Sequence, residues 1–103
     1  MFFPVCIDIE NKKCLVIGGG KIAYKKIKTL SRYNSDITVI AEEIKEEKIR
    51  EIGNIDIREK RFSDENLREY MLVVAATDDK ELNEEIAEFC IKNNRYSTMT
   101  ILS

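Results

Sequence analysis

Three of the chain's four glycines stand together, Gly18–Gly20, inside the stretch CLVIGGGKIAYKKIKTL from Cys14 to Leu30. The apolar run before them suits a short strand buried on both faces. After them Ala23, Ile27 and Leu30 recur at i, i+4 and i+7, with Ile22 beside them. That spacing predicts an amphipathic helix from Lys21 to about Tyr33. A strand that passes through glycines into a helix is the opening of a βα unit.

The pattern repeats along the chain. DITVIA reads as a second strand, EEIKEEKIREIG as a charged surface helix closed by Gly53, and IDIR as a short third strand. Ser63 opens a short helix that leads to the uninterrupted apolar strand MLVVAAT. Asp78 with Glu81 three residues on resembles a capping box, which predicts a helix through about Asn93. Leu82, Ile86, Ala87, Phe89 and Cys90 are its sheet-facing positions. STMTILS alternates well enough for a terminal strand. The expectation is an α/β fold, a Rossmann-like doubly wound parallel sheet in a single domain over residues 1–103.

Composition narrows the function. Basic and acidic residues number 17 and 19, a formal net charge of −2, and no basic stripe interleaved with aromatics invites nucleic acid. No apolar run approaches the roughly 20 residues that cross a bilayer, and MFFPVCIDIE lacks the pattern of a signal peptide. Cys6, Cys14 and Cys90 are odd in number and form no CxxC pair, so reduced, buried cysteines in a cytoplasmic protein are expected. Histidine is absent, which leaves a carboxylate as the leading candidate for any proton transfer, and no metal site is expected.

Gly18, Gly20 and Ala23 fill the positions of G-x-G-x-x-G/A directly after a strand. The first glycine permits the tight turn, and the second lets backbone approach a pyrophosphate at a helix N-terminus. The small third residue allows close packing of helix on strand. Gly19 adds freedom between them. The acid that binds a ribose belongs about 20 residues on, at the end of the second strand. Ile40 and Ala41 stand there, with Glu42 and Glu43 just beyond. Each glutamate suits either a ribose or the dipole of a following helix. An acidic pair without a neighbouring arginine favours NAD over NADP.

FPVCIDIENKKCLVIGGGKIAYKKIKTL, ITVIAEE and LVVAATDDKELNEEIAEFC together resemble the N-terminal NAD-binding domain of the siroheme synthase family. The likeness runs from Phe3 to about Asn94, and its specific parts are Phe3–Pro4 with Ile9–Asn11, the triple glycine, the helix lysines and AATDD. The family comprises precorrin-2 dehydrogenases, some of which are also sirohydrochlorin ferrochelatases. The resemblance implies oxidation of precorrin-2 to sirohydrochlorin with NAD as hydride acceptor. It places Lys21, Ile22, Glu42 and Glu43 against NAD, and puts the loop with Thr77 and Asp78 at the same crevice, where those two contact cofactor, cap the helix or do both. Lys25 and Lys26, with Lys21 and Lys28 near them, suit the carboxylates of a tetrapyrrole or a solvated helix face.

After Asn94 the likeness fails. The family's fifth strand ends in an acid/base aspartate whose position falls near Ile101, and no carboxylate follows Glu88. An altered reading frame, a truncation or an artificial boundary each account for the tail RYSTMTILS. Family members continue into dimerisation and helical regions that are absent here. This chain is therefore expected to be a monomer or weak dimer, and not to turn over precorrin-2 appreciably. Two other readings stay open: a non-catalytic NAD-sensing regulatory domain, and a glycine-turn α/β scaffold for protein interaction.

Overall fold

The computed structural model describes residues 8–33, 36–62, 69–93 and 99–102. Its elements are β1 (Lys13–Ile17), α1 (Lys21–Ser31), β2 (Asp36–Ala41), a 3-10 turn (Glu47–Glu51), β3 (Ile55–Glu59), β4 (Leu72–Ala75), α2 (Lys80–Asn93) and β5 (Met99–Leu102). The five strands form one sheet in the order β3-β2-β1-β4-β5, and every neighbouring pair is parallel. The chain moves outward from β1 to β3, then returns to the other side of β1 with β4. The strand order thus reverses beside β1, the place where open α/β sheets bind ligands.

Side-chain alternation gives each face its own core. Cys14 and Val16 join Ile37, Val39, Leu72 and Val74 on one face, which Ala23, Ile27 and Leu30 of α1 cover. Leu15 and Ile17 join Ile40, Val73 and Ala75 on the other, covered by Ile86 and Cys90 of α2. One helix on each face makes the sheet doubly wound, as expected. Phe62 and Phe89 add an edge-to-face ring pair, with centroids 5.8 Å apart, to the α2 side. Cys14 and Cys90 are buried, as expected; Cys6 lies outside the described residues.

Register decides what meets at the sheet's C-terminal edge. Ile17 is level with Ile40 on β2 and with Ala75 on β4, so the three strands end together. Ile101 lies within β5, in register with Val74, one step before the strand's last pair.

Two expectations need correction. EEIKEEKIREIG is not an α-helix; only the short turn Glu47–Glu51 forms. The N–H groups of Lys45 and Glu46 both donate to the Gly19 carbonyl at 2.9 Å, so they are unavailable for helical bonds. Ile44 and Ile49 are nevertheless buried against α1's face of the sheet, and Arg50 ties the turn to Glu47 and to Glu59 on β3. Gly53 therefore closes no helix, and Asn54 supplies the left-handed residue (φ 61°) that turns the chain into β3. The helix expected at Ser63 lies outside the described residues.

The second correction concerns α2. Ile86, Ala87 and Cys90 are buried as expected, but Leu82 is 37% exposed and Asn83 is buried in its neighbourhood. The amide of Asn83 holds the loop before the helix, and that requirement turns Leu82 outward.

Candidate functional site

The three glycines answer to three different constraints. Gly18 has φ 141°, and a Cβ there would lie 2.3 Å from the Ala76 carbonyl oxygen. Its N–H donates to Ile40 and the Ala76 N–H donates to Ile17, both at 2.9 Å, so the turn is clamped between the neighbouring strands. A Cβ on Gly19 would lie 2.3 Å from the Glu43 carbonyl oxygen and 3.0 Å from the Ala41 Cβ. Gly19 thus serves close packing on the loop after β2, rather than the conformational freedom expected of it. Around Gly20 a Cβ would meet nothing within 4 Å.

Gly20 is also the N-cap of α1, in an extended conformation (φ −103°, ψ −162°), with no side-chain cap and no acidic residue in the first turn. The first N–H groups of any helix have no partner within it. Here they open beside a glycine with free space in front of it, an arrangement that fits an anion.

Facing it is the loop after β4. The Asn83 Oδ1 accepts from the Thr77 N–H at 3.0 Å, and the Asn83 amide donates back to the Thr77 carbonyl at 3.1 Å. The Thr77 hydroxyl sits 2.6 Å from Asn83 Oδ1 and accepts from the Asp79 N–H at 3.2 Å. Asp79 Oδ1 accepts from the N–H groups of Glu81 and Leu82, at 3.0 and 3.3 Å. The helix cap is therefore Asp79 and not Asp78, because Asp79 is the residue immediately before Lys80. Asp78 instead extends into solvent, with its carboxylate 3.7 Å from Lys45 Nζ.

Between these loops lies a cleft of about 520 Å³ at the strands' C-terminal edge. Gly18, Gly19, Gly20, Glu42, Glu43, Thr77 and Asp78 all line it, which brings together residues up to sixty positions apart in the chain. Lys21 and Ile22 lie in the first turn of α1, both exposed, outside that lining. Ile17, Ile40 and Ala41, with Leu82, Lys45, Lys60, Arg61 and Phe62, complete the wall. Lys60, Arg61 and Phe62 follow β3, and the signal that could have found them is parallel order itself: every strand delivers its next residues to this edge. Arg61 Nε donates to Glu42 Oε1 at 2.6 Å, so the acid after β2 does have an arginine beside it.

The fold, the glycine turn and the cleft have counterparts among known proteins. A family model described as "Putative NAD(P)-binding" matches residues 5–100. The chain belongs to this NAD(P)-binding family. Its cofactor is a nicotinamide dinucleotide, in keeping with the glycine turn. It is 38% identical over 95 residues to a siroheme synthase of Ruthia magnifica subsp. Calyptogena magnifica, covering 90% of this chain and 20% of that protein. A siroheme synthase of Mannheimia succiniciproducens is 35% identical over 103 residues, covering 98% and 21%. The chain thus spans about a fifth of the length of the curated relatives it matches. Among solved structures, SirC, a precorrin-2 dehydrogenase, superposes with a TM-score of 0.73 at 25% identity, over 99% of this chain and 48% of that one. The likeness to siroheme synthases read from the residues is borne out. Among the described residues, no helix is long and apolar enough to cross a membrane.

Proposed function

We propose that this chain is the NAD-binding part of an enzyme that oxidises precorrin-2 to sirohydrochlorin in the cytoplasm. The observation that carries the reading is the open start of α1. An uncapped helix N-terminus stands behind Gly20, at the strand-order reversal, in front of free space. In this reading Gly18–Gly20 and the backbone of Lys21 and Ile22 hold the pyrophosphate, and Glu42 and Glu43 flank the adenosine ribose. Thr77 and Asp78 border the cofactor from the facing loop.

NAD supplies the hydride acceptor when bound. The chain's own residues bind and orient it: the hydrogen bonds among Thr77, Asp79 and Asn83 keep one wall of the cleft fixed. Dehydrogenation also releases a proton. Ile101 has an aliphatic side chain that exchanges none, and Asp79 is committed to capping. Asp78 lines the cleft with its carboxylate free of that duty, beside Glu42 and Glu43, and is the residue to test if this chain turns over precorrin-2 at all. The exposed lysines of α1, among them Lys21, Lys25 and Lys28, suit steering of a polycarboxylate substrate. The net charge of −2 speaks against nucleic acid as the partner.

Calorimetric titration with NAD tests the binding step; saturable binding is expected, and its absence would overturn the reading. Anaerobic conversion of precorrin-2 with NAD, followed by absorbance, tests the chemistry. Little turnover is expected of this chain as written; turnover that Asp78→Asn abolishes would assign the proton to Asp78.

A further inference from the structure

Glu42 is the first residue beyond β2, where dinucleotide sites commonly place the acid that accepts from the adenosine ribose 2′-hydroxyl. A carboxylate alone at that place repels a 2′-phosphate, whereas a nearby arginine accommodates one. In this structure both are present. Arg61, two residues beyond β3, donates through Nε to Glu42 Oε1 at 2.6 Å, and both residues line the cleft.

As a structural tie the pair counts for little. The two side chains are 87% and 65% exposed, and ion pairs so open to water contribute little to stability. Its weight lies in charge. Lys60 and Arg61 balance Glu42 and Glu43 along this stretch of the cleft wall, so the wall is neutral there rather than acidic. The bond to Glu42 also uses Nε, and a guanidinium carries two further NH2 groups in the same plane, suited to the oxygens of a phosphate.

We propose that Arg61 sets the dinucleotide selectivity of the cleft: paired with Glu42, it admits the 2′-phosphorylated dinucleotide NADP as well as NAD. The proposal rests on the dinucleotide reading above, and the test separates the two. Calorimetric titrations with NAD and with NADP are run on the parent, Arg61→Ala and Glu42→Gln, each at low and at moderate salt. The parent is expected to bind NADP within about tenfold of NAD, with the steeper salt dependence for NADP. Arg61→Ala should weaken NADP about tenfold or more while NAD changes by less than about threefold. Glu42→Gln should shift the ratio the other way, toward NADP. A parent that binds NAD but not NADP, or an Arg61→Ala chain with an unchanged NADP-to-NAD ratio, would overturn the proposal alone. Failure of the parent to bind either dinucleotide would overturn the cofactor reading and this proposal with it.

Discussion

Two helices begin at the same edge of the sheet, one on each face, and their beginnings are built in opposite ways. The start of α2 is closed from within: Asp79 caps it, and Thr77 and Asn83 satisfy one another. The start of α1 has glycine at the N-cap, no side-chain cap and no acidic first turn. Both helices bury apolar residues against the core, so burial does not explain the contrast. A helix start provided with its own acceptors has no need of a ligand, while one left open, beside backbone that something can approach, is a binding site for an anion.

The contrast can be broken most forcefully at Gly18. Gly18→Ala combines a disfavoured φ with overlap on the Ala76 carbonyl, and should cost about 3 kcal/mol or more in urea unfolding. Gly20→Ala has neither problem and should cost only about 1 kcal/mol, the loss of glycine at an N-cap. Equal losses at the two positions would mean that the glycines are merely one turn, not a clamp and an opening.

Next in size is the loss of ligand. Gly20→Val places a branched side chain in the free space before α1, and NAD affinity measured by calorimetry should fall about a hundredfold with the fold retained. Equal NAD binding by this variant and the parent would show that the pyrophosphate lies elsewhere.

The closed side is sharpened by Asn83→Ala, which leaves the Thr77 N–H without its acceptor in a partly buried place. Thermal or urea unfolding should register about 2 kcal/mol. Smallest is the cap itself. Asp79→Ala should cost about 1 kcal/mol, and Asp78→Ala less than half of that. The reverse order would return the cap to Asp78.

Legibility followed the range of the interactions. The βα unit from Lys13 to Ser31 could be read directly, because apolar runs and i, i+4, i+7 spacing report burial that each element carries in its own residues. The segment after β2 could not. Its charged, isoleucine-spaced residues read as a helix, but the Gly19 carbonyl takes the N–H groups that a helix would need. Leu82 was misassigned for a related reason: apolar spacing favours burying the leucine, and the hydrogen bonds of the Thr77 loop bury Asn83 instead. Arg61 went unnoticed because it meets Glu42 across 19 residues of sequence.

The parallel strands, the two helices that cover them and the two-faced core were therefore decided by the sequence alone. Each is written in local periodicity or in residues whose backbone freedom is unusual. The division of labour among the three glycines, the identity of the α2 cap and the pairing of Glu42 with Arg61 were decided only by the tertiary structure. Those features depend on which backbone atoms and charges the parallel register brings to one edge, and no spacing within a single element records that.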